Sequence, residues 1–143
     1  MIIFDMDGTL TKVGNRLKYI NTEPKDWAKF LDACGEDEPN IPIIKIFKVF
    51  QLHTDTKIKV VTGRDEKYRQ ISLNWLHNHE LWVETKDLHM RHRGDKRHDY
   101  LIKPELIANF KDEIEMIFED RSSVVKMWRD LGITCLQVNH GNF

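Results

Sequence analysis

Phe4-Asp5-Met6-Asp7-Gly8-Thr9 closes an apolar run, Ile2-Ile3-Phe4, near the start of the 143-residue chain. A continuous apolar run of this length reads as a strand covered on both faces. Two carboxylates one residue apart, just past a buried strand, are costly unless a cation or a charge-developing substrate uses them. Asp and Gly are also ordinary turn residues, and Asp7-Gly8-Thr9 taken alone is equally well an exposed turn. The choice depends on what other segments bring to the same place.

Four further β-rich runs follow: Lys57 to Val61, Leu81 to Thr85, Ile114 to Phe118 and Thr134 to Val138. Helical spacing lies between them, in Trp27, Phe30, Leu31 and Cys34, in Ile43, Ile46, Phe47 and Phe50, in Tyr68, Ile71 and Trp75, and in Val124, Trp128 and Leu131. Strands alternating with helices predict an α/β fold, a Rossmann-like parallel five-stranded sheet flanked by helices with right-handed crossovers. Such a sheet places its chemistry at the carboxyl ends of its strands. Residues 11–42 exceed what a plain crossover needs and are expected to form a small cap-like insertion with one helix, over the end of the first strand. The acidic knot Glu36-Asp37-Glu38, between Gly35 and Pro39, reads as a solvated loop. There is no repeat or low-complexity tract, and one domain over 1–143 is expected.

The second run leads into Thr62-Gly63-Arg64. A hydroxyl followed by glycine offers a side-chain donor and accessible backbone N–H groups to a phosphate oxygen, and Arg64 could add a charged fork. Thr62 as cap of the next helix is the plainer reading, and both can hold together. The fourth run leads into Glu119-Asp120-Arg121-Ser122-Ser123. Neighbouring residues on a strand point to opposite sides, so one of Glu119 and Asp120 is expected to face the Asp5/Asp7 centre and help hold a hard cation. Asp120 or Ser122 could otherwise simply cap the following helix. Lys103, just ahead of Pro104 and a short helical stretch, has no role by itself.

Taken in order, Asp5-Met6-Asp7-Gly8-Thr9, Thr62, Lys103 and Glu119-Asp120 fill the four motif positions of the haloacid dehalogenase (HAD) superfamily of phosphotransferases, which the chain resembles over nearly its whole length. Arg91-His92-Arg93-Gly94-Asp95, the run Glu119 to Arg129 and the ending Gln137-Val138 to Gly141-Asn142-Phe143 are similar to the phosphatase half of the phage polynucleotide kinase/3′-phosphatase family. The resemblance implies a Mg²⁺-dependent phosphomonoester hydrolase. Asp5 would be the nucleophile that becomes an aspartyl-phosphate, and Asp7 the general acid and then base. Mg²⁺ would be held by Asp5, the backbone carbonyl of Asp7 and Asp120. Thr62 and Lys103 would bind the equatorial oxygens, with Thr9, Gly63, Arg64 and Arg91 completing the substrate-phosphate contacts. Thr62 stands where that family has serine, Glu119 where it has aspartate, and the Trp27–Pro39 segment has no clear counterpart there.

Lys+Arg is 22 against Asp+Glu 23, a net charge of −1, which excludes bulk attraction to nucleic acid as the main theme. Residues 86–98 nevertheless carry five cations and two acids, leaving the remainder of the chain at −4. With the resemblance, this local excess makes a phosphorylated polynucleotide or nucleotide the expected partner. A nucleotidase or small-metabolite phosphatase, and a catalytically dead domain that binds nucleic-acid ends, are the competing readings. None of the seven glycines precedes a lysine, so a phosphate loop of the ATP-dependent kinase type is not expected. Two distant cysteines and the absence of a long apolar run predict a cytoplasmic chain with no membrane span and no obligate protein partner. His89, His92 and His98 fit no standard zinc spacing. Trp27, Trp75, Trp82 and Trp128, at helical or strand spacing, read as core.

Overall fold

All three residues of β1 (Ile2–Phe4) are buried in the computed structural model, which describes residues 1–141. β2 (Thr11–Lys12) and β3 (Glu38–Pro39) form an antiparallel ribbon at the neck of the insertion, with α1 (Trp27–Asp32) between them. There follow α2 (Ile41–His53), β4 (Ile58–Asp65), α3 (Arg69–Asn78), β5 (Leu88–Arg91), α4 (Asp99–Leu106), β6 (Met116–Arg121), α5 (Ser122–Asp130) and β7 (Cys135–Gly141). The sheet has the order β5-β4-β1-β6-β7 with every neighbouring pair parallel, as the alternation of strands and helices predicts.

Side chains of β1 alternate between two cores. Ile2 and Phe4 meet Ile43, Ile44 and Phe47 of α2 and Leu73, Trp75 and Leu76 of α3. Ile3 meets Val124, Val125 and Trp128 of α5 on the other face. Phe4 stacks on Phe118 at 4.6 Å and leans on Phe47 at 4.9 Å, which pins the middle of the sheet. The chain steps from β1 to β4 and β5 on one side, then crosses to β6 and β7 on the other. The connections leaving β1 and β6 therefore diverge, and their carboxyl ends open a crevice. Register pairs Phe4 with Phe118, so Asp5 emerges beside Glu119.

Four expectations need correction. Leu81 to Thr85 is not a strand; β5 is Leu88–Arg91. Leu81 and Val83 are buried but turn back on α3, with the Leu81 N–H on the Leu76 carbonyl and the His77 ring on the Val83 carbonyl. The true strand hid because His89 and Arg91 alternate with its inward Leu88 and Met90. Lys103 lies inside α4 rather than ahead of a helix. Thr62, Asp120 and Ser122 do not serve as helix caps: the turn after β4 is capped by Asp65, and α5 has Arg121 at its cap position with no side-chain cap bond. Trp27 and Trp82 are exposed, while Trp75 and Trp128 are buried. Asn142 and Phe143 lie outside the described residues.

Candidate active site

The Asp5–Thr11 turn is built on its own backbone: Thr9 and Thr11 N–H groups reach the Met6 carbonyl, and the Gly8 N–H reaches that of Thr11. Gly8 has φ +88°, a left-handed conformation that favours glycine, and a Cβ there would stand 2.1 Å from Asp120 Oδ2. The bare glycine is what lets the acids of β6 close on the turn. The ladder shifts register between Glu119 and Arg121 on β6 and between Thr62 and Asp65 on β4. Irregularities of this kind re-aim side chains beside active sites.

Because of the β6 irregularity, both Glu119 and Asp120 turn inward, where strict alternation would send one away. Asp5, Glu119 and Asp120 each present a carboxylate oxygen, all within 4.8 Å of one another and all buried. Lys103 crosses from α4 into this group, with Nζ 2.8 Å from Asp5 Oδ1 and 2.6 Å from Glu119 Oε2. Burial and the neighbouring Glu119 charge raise the Asp5 pKa well above the ordinary carboxylate value, against the pull of Lys103. The same two causes push Asp120 up to about 7. For Lys103, burial opposes the charged form, but Asp5 and Glu119 outweigh it and the pKa rises. Three buried acids share the Lys103 ammonium and an Arg121 guanidinium that is itself paired with Asp99, which leaves an excess of negative charge, and their all-oxygen donor set suits a hard divalent cation.

Asp7 points elsewhere. Its Oδ1 accepts from Arg16 Nη2 at 2.7 Å and from Arg64 Nε at 3.0 Å and Nη2 at 2.5 Å. Burial would raise its pKa, but the Arg64 and Arg16 guanidinium groups more than offset this and hold it well below the usual range. Asp37 joins the clamp, accepting from Arg16 Nε at 2.6 Å and Nη2 at 2.5 Å and from Arg64 Nη2 at 3.1 Å. Asp37 is thus buried, not part of a solvated acidic loop. Arg64 also donates to Ser72 Oγ, so its fork is engaged with protein acceptors. The insertion supplies Arg16 and Asp37 through the β2/β3 ribbon and a small core of Val13, Ile20 and Phe30, and Arg16 lies 4.3 Å over the Phe30 ring.

Thr62 is buried, its Oγ1 accepting the Arg64 N–H, and Thr9 Oγ1 is buried with no hydrogen-bond partner among the described residues. Gly63 lies against Asp99, where a Cβ would stand 2.5 Å from the carboxylate. Arg91 reaches the Gly63 carbonyl at 2.7 Å and the Asp99 carboxylate, and Arg121 Nη1 reaches Asp99 at 2.6 Å. Arg91 also bonds the Asp95 and Arg97 carbonyls, folding the 92–98 loop against β4.

Sequence reasoning missed Arg16, Asp37 and Asp99. Arg16 interrupts the apolar spacing Val13-Leu17-Ile20, and Asp99 stands four residues before Lys103 on one helical face. Those were the available signals.

An α/β sheet with Asp5, Asp7, a Thr62 strand end, a buried lysine and a Glu119-Asp120 pair at its crevice defines a phosphatase of the HAD type. The profile of the polynucleotide kinase (PNKP) phosphatase domain matches residues 1–143, and the chain belongs to that family. It is 30% identical over 135 residues to a bifunctional polynucleotide kinase/RNA ligase of Autographa californica nuclear polyhedrosis virus, covering 92% of this chain and 18% of that protein. Among solved structures, a chain of the Pnkp1/Rnl/Hen1 complex superposes with a TM-score of 0.79 and 29% identity, over 99% of this chain and 46% of that one. A phosphatase structure from Clostridium difficile shares the fold at 14% identity and TM-score 0.62, over 98% of this chain and 85% of that one. The chain thus spans less than half the length of the first two relatives. No helix among the described residues is long and apolar enough to cross a membrane.

Proposed function

We propose that this phosphatase domain removes 3′-phosphate from polynucleotide ends through an aspartyl-phosphate on Asp5. One observation carries the mechanism. Two aspartates two residues apart sit in opposite electrostatic surroundings, Asp5 among acids with Lys103 and Asp7 among arginines. A carboxylate oxygen of Asp5 attacks phosphorus while the P–O3′ bond breaks. The 3′ oxygen takes its proton from Asp7, whose Oδ2 is the oxygen not bonded to the arginines. An incoming phosphate dianion adds negative charge beside Asp7 and raises its pKa toward the range where it holds that proton. Water then attacks phosphorus of the acyl phosphate, Asp7 accepts the water proton, and phosphate leaves with Asp5 regenerated. Lys103 spends two of its three N–H groups on Asp5 and Glu119 and turns the third to a phosphate oxygen. The hydroxyls of Thr62 and Thr9 and the Gly63 N–H take the remaining oxygens. Arg64 and Arg16 orient Asp7, and Arg91 acts through the loop that it folds.

Asp5, Asp120 and the Asp7 carbonyl would hold Mg²⁺, the buried acidic excess being what fits it. Bound there, Mg²⁺ supplies the charge that offsets repulsion between the attacking carboxylate and the phosphate.

Phosphate release from a 3′-phosphorylated oligonucleotide, its 5′-phosphorylated counterpart, nucleoside monophosphates and an aryl phosphate tests the reading. The 3′-phosphorylated oligonucleotide is expected to give the highest kcat/KM. A nucleotidase reading draws on the insertion, whose Arg16 and Asp37 pack on Asp7; it would win if monophosphates exceeded oligonucleotides. Turnover of the aryl phosphate alone would end the polynucleotide claim.

A further inference from the structure

α4 opens with an exposed aromatic pair that the chemistry above leaves unused. His98 and Tyr100 flank Asp99 with their rings parallel to within 8° and their centroids 5.3 Å apart. Both are exposed, Tyr100 at 39%. Their place is fixed by the residue between them: Asp99 is held by Arg91 and Arg121 and lies against Gly63. Lys103, one helical turn further on, reaches Asp5. The ring pair therefore stands at the opening of α4, one helical turn before Lys103.

From Tyr100 a groove of about 410 Å³ runs between α4 and α5, lined by Ser123, Lys126, Met127, Asp130 and Leu131, with Lys126 paired to Asp130. Residues 91–98 carry Arg91, Arg93, Lys96 and Arg97; Arg91 is held by Asp99, and Arg97 by Asp95 and Glu105, so Arg93 and Lys96 are the cations offered to an anion. An aromatic platform at the opening of α4, with the exposed cations Arg93 and Lys96 on the loop before it, matches a nucleic-acid strand end: planar bases on a π surface and phosphates beside cations.

We propose that the His98–Tyr100 pair is a base-stacking shelf that receives the nucleobase of the 3′-phosphorylated terminal nucleotide, while the 91–98 loop follows the phosphates preceding it. The proposal rests on the polynucleotide reading and names the subsite that enforces it. Stacking accepts any base, so the shelf selects for a base-bearing end rather than for a sequence. It also separates a nucleotide end from a generic phosphomonoester, which offers nothing to lie on the rings.

The test compares wild type with Tyr100→Ala and Tyr100→Phe on three substrates: a 3′-phosphorylated oligonucleotide, the same oligonucleotide with an abasic terminal residue, and an aryl phosphate. Tyr100→Ala is expected to lower the ratio of oligonucleotide to aryl-phosphate kcat/KM about tenfold, chiefly through KM. Tyr100→Phe should restore the ratio, and the abasic substrate should show no difference among the three proteins. An equal loss on both phosphates, an unchanged ratio, or the same tenfold loss on the abasic end would overturn the shelf. A second readout is independent of turnover. An oligonucleotide with 2-aminopurine at its 3′-phosphorylated terminus should be quenched on binding to Asp5→Asn protein, and not on binding to the Asp5→Asn/Tyr100→Ala variant. Equal quenching in both would also overturn it. Oligonucleotide hydrolysis without any Tyr100 dependence removes the shelf alone, whereas aryl-phosphate hydrolysis with no oligonucleotide hydrolysis removes the polynucleotide reading itself.

Discussion

Asp5 and Asp7 are the same residue type on the same turn, yet one titrates far above and the other far below the ordinary carboxylate. Asp5 is buried with Glu119 and Asp120 against the Lys103 ammonium, with the Arg121 guanidinium nearby. Asp7 is buried between two guanidinium groups, with Asp37 completing the arginine cluster. Burial alone would raise both, so the divergence comes from the sign of the nearest charges. The acidic half carries an excess that a cation would relieve; the basic half is compensated within the protein by Asp37. In the metal-free protein these shifts run opposite to a nucleophile at Asp5 and an acid at Asp7; a cation beside Asp5 would favour its ionised form, and a phosphate dianion beside Asp7 would favour its protonated one.

The sharpest way to break this division is Asp5→Asn, expected to lower kcat by about a thousandfold or more while circular dichroism shows an intact fold. Turnover close to wild type would remove Asp5 from the chemistry. Gly8→Ala should come next. A left-handed φ and a Cβ pressed on Asp120 Oδ2 would force the two halves apart, with a stability loss of about 1–3 kcal/mol in a denaturant titration and a marked fall in Mg²⁺-dependent turnover. Lys103→Met removes the ammonium bonded to Asp5 and Glu119 from among three buried acids. In chelator the variant should be destabilised by about 3 kcal/mol, and Mg²⁺ should recover more stability in it than in wild type. Equal Mg²⁺ effects in both proteins would mean that the acidic half needs no cation.

The two halves should also respond to pH with opposite sign. Asp120 has a folded pKa near 7 against an ordinary 3.8, so the native state keeps a proton that the unfolded chain has released. Its contribution is complete below 3.8 and is lost as pH rises through about 7. Asp7 is lowered, so its contribution is present above 3.8 and is lost as pH falls through its folded value. Melting temperatures from pH 5 to 8 are therefore expected to show a gain from Mg²⁺ that grows with pH, because the cation favours the ionised acids. A gain independent of pH would separate the acidic cluster from cation binding.

Asp5, Asp7, Thr62 and Asp120 could be picked out from strand ends, because a parallel sheet gathers those ends in one place whatever the intervening loops do; Lys103, inside α4, was picked out only through the family resemblance. The five-stranded α/β plan followed from the same alternation, and its one misplaced strand shows the limit. Leu81-Trp82-Val83 has the apolar character of a strand without an edge to join, whereas Leu88–Arg91 has the edge and carries basic residues on its outward side.

Sequence by itself determined which residue types reach the crevice, since strand order and periodicity depend on local pattern and burial. Only the tertiary structure decided how those residues are paired. Glu119 and Asp120 both face inward because the β6 ladder shifts register, which alternation along a strand cannot announce. Arg16 and Asp37 meet Asp7 because a short ribbon folds the insertion back over the turn. Charge neighbours across 30 residues of chain are set by packing, and those neighbours, not the aspartates themselves, make Asp5 and Asp7 different.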